Sequence, residues 1–171
     1  MSAIETQLEH AWTLFKARRY AEAAEMLSAV IAIDVTIPAA YSKRARCYHR
    51  MEDHGQALSD ISRAIELSPK TAAYHFTRGR YYFEVGQFHE ACDDFSNVVN
   101  LESGLENKPF LEAALFFRAE ANFKRKRFEE AFRDCSEIKE DFGLYVLGRM
   151  RTRNEIVRDV TAGLKESKPE Q

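Results

Sequence analysis

Five histidines, three cysteines and a run of four cations are the side chains of this sequence with chemistry beyond packing to offer. The histidines are His10, His49, His54, His75 and His89, and none falls in the HExxH spacing that puts two imidazoles and a general base on one helix face. Neither a glycine-rich phosphate loop nor a GxSxG nucleophile elbow is present. His10 and His75 fall on positions expected to be packed. Cys47, Cys92 and Cys135 are an odd set without a CxxC pair, so neither a disulfide framework nor a zinc site is expected. Cys92 and Cys135 fall on helix faces expected to be covered, which favours inert thiols over nucleophiles. Lys124-Arg125-Lys126-Arg127 reads as a solvated turn, ahead of nuclear targeting or phosphate contact. The expectation is a protein that is not an enzyme, with no catalytic residues, no metal and no cofactor.

Composition narrows the classes further. With 45% hydrophobic and 30% charged residues over 171 positions, the chain is long and apolar enough for an ordinary globular core. A formal net charge of −2 supplies no broad basic field, so nucleic acid and membrane are not expected as partners. The opening MSAIETQLEH lacks a cationic region followed by an apolar run, and no stretch approaches the roughly 18 apolar residues of a membrane span. A reducing cytoplasm is the expected setting.

The elements that must position any site are helices in repeated pairs. Ala23, Ala57, Ala91 and Ala131 each open a second helix, at intervals of 34, 34 and 40 residues. Tyr20, His54, Phe88 and Phe128 precede them by three positions, and Ala11, Ala45, Gly79 and Ala119, all small, by twelve. Small residues let the two helices of a hairpin approach closely, and larger ones there would cost ~1–3 kcal/mol in strain. The spacing predicts helices over about 3–17, 20–34, 38–51, 54–67, 71–85, 88–101, 109–125 and 128–141. The longer third interval places an insertion at Ser103–Leu111, with Gly104 suited to a helix C-cap and Pro109 to the first turn of the next helix. A harmless lengthening is favoured there over a binding loop. After Phe142-Gly143 the period stops. Leu144, Tyr145, Val146, Leu147 and Met150 form an apolar patch, and Thr152…Glu155 reads as a capping box opening a helix with Ile156, Val157, Val160 and Leu164 on one side.

These residues resemble the tetratricopeptide repeat (TPR) family, with its 34-residue period and W-x2-L-G-x2-Y…A-x3-F…P pattern. The second unit matches at Tyr41, Arg44, Ala45, Tyr48, Ala57, Ile61 and Pro69, and the third at His75, Arg78, Gly79, Tyr82, Ala91 and Phe95. The first carries Ala11, Leu14, Ala23 and Leu27. The fourth carries Leu115, Ala119 and Ala131, but has Asn122 and Cys135 where aromatics are usual. The resemblance implies an all-α fold: a right-handed superhelical α-solenoid of four helix-turn-helix units (about 4–37, 38–71, 72–108 and 109–143), a C-terminal capping segment and helix at 144–166, and a tail at 167–171.

It also implies where a ligand would sit. In this family the first helix of each hairpin lines a concave groove that receives a peptide or another protein's helix. The groove-facing positions give the candidate binding residues Trp12, Arg46, His49, Arg50, Phe76, Arg80, Phe83, Phe116, Glu120 and Phe123. Arg46 and Arg80 are one period apart, with Arg50 a turn further along, and would engage carboxylates among aromatic contacts. The alternative is that the aromatics pack between hairpins and the arginines are merely solvated. The lysine–asparagine carboxylate clamp of the chaperone-tail-binding branch does not carry over, since Leu8, Trp12, Ala113 and Phe117 occupy its positions. The expected function is a non-enzymatic adaptor or scaffold binding a protein segment; a dedicated chaperone or immunity protein for one secreted effector is the alternative. A weak homodimer through the ends of the repeat array is a further possible assembly.

Overall fold

The computed structural model describes residues 3–167. Most of the expected tail at 167–171 therefore lies outside the described residues. Along them run nine helices and a two-stranded antiparallel sheet, in two compact units, Met1–Tyr81 and Tyr82–Gln171.

The first unit holds α1 (Ala3–Lys16), α2 (Tyr20–Ile33), α3 (Pro38–Arg50), α4 (His54–Leu67) and α5 (Ala72–Glu84) as far as Tyr81. Ala11, Ala23, Ala45 and Ala57 are fully enclosed, as close helix approach requires. One core gathers Leu14, Leu27, Val30 and Cys47, with Phe15 and Tyr20 packed against it. A second gathers Tyr41, Ile61, Ala64 and Tyr81. Pro38 opens α3 at a position where a missing N–H costs nothing, and Asp53 caps α4 by accepting from the Gln56 N–H at 3.0 Å.

The hairpin turns share one device. Arg18, Glu52, Gly86 and Lys126 stand in register with left-handed backbone, φ being 62°, 63°, 79° and 60°. Each turn closes by an N–H to a carbonyl five residues earlier: Arg19 to Leu14, Asp53 to Tyr48, Gln87 to Tyr82 and Arg127 to Asn122, at 2.9–3.0 Å. Only the turn at Gly86 has the residue for which that conformation is free of steric cost.

A second repeated device joins consecutive hairpins. Arg44 donates to both Asp60 carboxylate oxygens, at 2.7 and 2.8 Å, and to the Ser28 hydroxyl of the preceding hairpin at 2.8 Å. In the other unit Arg118 makes the same bidentate pair with Asp134, at 2.9 and 2.6 Å, and reaches Ser96 at 3.1 Å. Arg78 donates to Ser62 at 3.1 Å. Two parallel charge-assisted bonds fix the guanidinium plane, so the arginine serves as a strut between helices.

The second unit contains α6 (Phe88–Glu102), α7 (Leu111–Lys124), α8 (Phe128–Ser136), β1 (Gly143–Val146), β2 (Arg149–Thr152) and α9 (Arg153–Ser167). Gly104, at φ 81°, ends α6 as expected. Pro109 lies in the turn before α7 rather than in its first turn, and the buried Glu102 carboxylate accepts the Phe110 N–H at 2.9 Å to hold that turn.

Two sequence expectations need correction here. The last helix of the fourth hairpin stops at Ser136, not 141. The Ile138 side chain turns inward, and the Cys135 carbonyl accepts both the Ile138 N–H at 3.3 Å and the Arg153 guanidinium at 3.0 Å. The apolar patch after Gly143 is a β-hairpin, Leu144 opposite Arg151 and Tyr145 opposite Met150, closed by Leu147-Gly148. Both turn residues have positive φ, 47° and 87°, the geometry that suits the strand twist. The capping box forms as expected, with the Thr152 N–H donating to Glu155 at 2.9 Å and the Glu155 N–H to the Thr152 hydroxyl at 3.3 Å. Ile156 and Val160 of α9 are fully buried. Gly163 lies so near α8 that a Cβ there would come within 2.5 Å of the Phe128 ring.

Candidate functional site

Six of the ten candidate residues lie in the Met1–Tyr81 unit, and five of them converge on one pocket. Its walls are Phe15, Phe76, Thr77, Tyr81 and His49, and its rim is Arg46, Arg50 and Arg80, around a volume of about 350 Å³. Arg46, Arg50 and Arg80 are exposed, while Phe15, His49 and Phe76 are half-buried. Among the described residues lining the pocket there are three guanidiniums and no carboxylate.

Aromatic rings hold two of these cations, Arg46 and Arg50, in place. Arg46 lies 4.6 Å over the Trp12 ring and 5.4 Å over Phe15, and these two rings stack on each other at 4.9 Å and 7°. Trp12 therefore acts beside the pocket, as the platform under Arg46, rather than in its wall. Lys43 lies on the same indole at 4.8 Å; burial, with the nearby Arg46 charge, holds its ammonium below the ordinary lysine range. Arg50 lies 5.7 Å over Tyr20 and its Nε reaches the Tyr20 hydroxyl at 3.4 Å. His49 stacks flat on Tyr81 at 4.2 Å and 10°. Guanidiniums laid on aromatic faces keep their in-plane N–H donors available to a ligand while losing rotamer freedom in advance.

The remaining four candidates lie in the Tyr82–Gln171 unit, where three are enclosed. Phe83 is covered by Phe88 and Phe117, at ring distances of 5.3 and 5.5 Å. Phe116 packs edge-on against Phe117 and against Phe142, at 6.1 and 5.7 Å. Glu120 pairs with the equally buried Arg151 of β2, whose Nη1 also reaches Asp159 at 2.7 Å. For Phe116 and Glu120 the expected exposure fails because the chain after α8 folds back over α7 and supplies the cover; for Phe83 the rings of α6 and α7 supply it. Phe123 stays half-buried against Phe128 at 6.0 Å. That contact belongs to a series: Phe15–Tyr20, His49–His54 and Phe83–Phe88 are ring pairs across the other hairpin turns. His49, Phe83 and Phe123 thus each clasp a turn, and His49 alone of these three also lines the pocket. Phe15 and Tyr81 were absent from the candidate set. Phe15 had the right register, whereas the Tyr81 contact with His49 depends on how two hairpins stack.

The other chemistry-bearing groups are quiet. His75 is buried with Nε2 2.9 Å from the Pro69 carbonyl, to which it donates. All three cysteines are buried free thiols; burial pushes Cys47 up to about 11 and Cys135 up to about 12, and raises Cys92. No cluster of three or more His, Cys, Asp or Glu able to hold a metal ion occurs among the described residues. No helix among them is long and apolar enough to cross a membrane.

Paired helices closed by identical turns, strutted in register, define an all-α helical-repeat protein. The chain belongs to the tetratricopeptide repeat family, whose model matches residues 8–72. It is 33% identical over 119 residues to serine/threonine-protein phosphatase 5 of Homo sapiens, covering 68% of this chain and 23% of that protein. It is 26% identical over 146 residues to the Hsp70/Hsp90 co-chaperone CNS1 of Saccharomyces cerevisiae, covering 82% and 37%. The chain spans only about a fifth to a quarter of the phosphatase 5 relatives it matches. Among solved structures it resembles MamA, with a TM-score of 0.69 at 16% identity over 96% of this chain and 80% of that one. It also resembles the first TPR of Spaghetti (RPAP3) bound to the HSP90 peptide SRMEEVD, with a TM-score of 0.56 at 25% identity over 65% and 89%.

Proposed function

We propose that this chain is a non-enzymatic interaction module that takes an acidic segment of another protein into the pocket of Arg46, Arg50 and Arg80. The carrying observation is the pocket itself: three guanidiniums and an imidazole surround aromatic walls, with no carboxylate among the described lining residues. Such a surface attracts carboxylates and offers flat apolar faces to the side chains between them. Relatives that act as co-chaperones and a similar TPR domain bound to an acidic peptide support this reading. The recognition would be this chain's own, because Leu8 and Trp12 stand where the family's carboxylate clamp has lysine and asparagine. Acidic partners would be held by stacked arginines instead.

The test is partner capture by the full chain from its native host, followed by mass spectrometry and repeated with Arg46→Glu/Arg80→Glu. Charge-assisted bonds contribute ~1.5–3 kcal/mol each, so the double reversal should weaken capture on the order of a hundredfold or more, with helicity unchanged by circular dichroism. Undiminished capture by the folded double variant would remove the pocket from the mechanism.

A further inference from the structure

The basic turn Lys124–Arg127 and the asparagine at position 122 meet at one place in the Tyr82–Gln171 unit, and the peptide-binding reading uses neither. Between α6, α7 and α8 lies a pocket of about 330 Å³. Its floor includes Asn122, 7% exposed, whose Oδ1 accepts from the Cys92 thiol at 3.4 Å and from Arg125 Nη1 at 3.4 Å. In the two preceding hairpins the same register holds Tyr48 and Tyr82, large rings where this one has a small amide.

Two of its cations, Arg125 and Arg133, have no cationic counterpart in the other hairpins, and Arg127 is matched only by Arg19 of the first. Arg125, Arg127 and Arg133 line the pocket, whereas the second hairpin has Met51, Asp53 and Ser59 in register and the third has Val85, Gln87 and Asp93. Stacking of repeats therefore does not require a positive charge at any of the three positions. Of these three charges, only Arg127 is paired with a carboxylate among the described residues. The acid nearest the floor, Asp134, is bound bidentately by Arg118. Asp93 pairs with His89 at the rim, at 3.8 Å. Glu130 holds Arg127 at only 3.5 Å. Arg125 has an amide oxygen as its hydrogen-bond acceptor, and Arg133 forms no ion pair among the described residues. The site combines space, a polar floor and guanidiniums in excess of carboxylates.

We infer that this pocket binds a phosphate group, free or as a monoester, held by Arg125, Arg127 and Arg133 over Asn122. One guanidinium satisfies a planar carboxylate, but three arriving from the α7–α8 turn (Arg125, Arg127) and from α8 (Arg133) suit a dianion with three terminal oxygens. The Lys124 and Lys126 side chains of the same turn add attraction at longer range.

Inorganic phosphate and O-phospho-L-serine are the probes, titrated into the full chain with arginine Nε–H and backbone amide resonances followed by NMR; L-glutamate is the comparison. The expected result is saturable shifts at Arg125, Arg127 and Arg133 with both phosphates and at least about tenfold weaker response to glutamate. Tighter binding of O-phosphoserine than of inorganic phosphate would assign the group to a phosphorylated side chain, and the reverse to the free ion. Arg125→Gln/Arg133→Gln should lose the response at least about tenfold with an unchanged melting temperature, since neither residue is enclosed. Equal response in that variant, glutamate binding as well as phosphate, or shifts confined to Arg46, Arg50 and Arg80 would each overturn the assignment. The last outcome would leave the acidic-segment pocket intact, so the two readings stand or fall separately.

Discussion

Arg151→Ala offers the most direct test of how the C-terminal segment holds the second unit together. The Arg151 and Glu120 side chains are each 4% exposed, and they are paired to each other, with Asp159 at 31% exposure completing the group. Removing the guanidinium leaves the Glu120 carboxylate enclosed beside Phe116 without its counter-charge. Breaking a buried pair from one side costs ~3–5 kcal/mol. With a urea m-value of ~1–3 kcal/mol/M, the far-UV circular dichroism midpoint should fall by roughly 1–5 M. The double variant Glu120→Leu/Arg151→Met removes both charges at similar volume and should recover most of that loss, or exceed the wild type. Glu120→Leu and Arg151→Met made singly, together with the double, close a thermodynamic cycle that isolates the pair. A fall of under ~1 kcal/mol for Arg151→Ala at unchanged m would refute the reasoning, because a carboxylate so easily left alone must be reached by water.

Two further outcomes follow from the same segment. Gly163→Ala, normally a gain of up to ~1 kcal/mol inside a helix, should instead lower the melting temperature, because its Cβ would meet the Phe128 ring at 2.5 Å; a higher melting temperature would mean that the ring moves aside freely. The hydrogen bond from the Thr152 N–H holds Glu155 below the usual carboxylate range, against the effect of burial and helped by arginine charges. Burial opposes ionisation of Asp159, yet bonds from Arg151 and Arg158 leave it lowered too. Both folded-state values lie below the unfolded ones, so their contribution is present above pH ~4 and lost as the pH falls through the folded values. Helicity measured from pH 7 to 2 should drop in that acid window, and Glu155→Gln should flatten part of the drop; a wild-type profile without it would contradict the cap.

The hairpins were legible because packing repeats: Ala23, Ala57 and Ala91 sit at a fixed interval, and every repetition reduces the chance of coincidence. Arg46, Arg50 and Arg80 were legible because the family resemblance implies which positions of each first helix face the groove. Tyr81 was not, since its stacking on His49 depends on how two hairpins meet. Phe116 and Glu120 were misplaced because their cover comes from Phe142 and Arg151, beyond the last repeat, where periodicity carries no information. The β-hairpin was written in the alternation around Leu147-Gly148, but four-residue strands barely exceed what any apolar patch would show. Arg44 matched a repeat position without revealing that it binds an aspartate sixteen residues onward, as Arg118 in the fourth unit also does.

The Arg44–Asp60–Ser28 strut bears on how such a chain can lengthen. Ser28 and Ser62 are in register, as are Arg44 and Arg78. If residues 38–71 were duplicated in tandem, the copied Arg44 would follow a hairpin ending in Ser62 and find the same hydroxyl that it finds now in Ser28. The copied Asp60 would arrive with it. Each seam created by such a duplication is thus chemically ready before any mutation has adapted it, and growth by whole hairpins incurs no unpaired buried charge. A duplication of another length, with its seam between the arginine and aspartate positions, would set a copied Asp60 out of register with any arginine and leave it alone. The strut therefore acts as a reading frame for recombination, admitting units of one length and rejecting the rest.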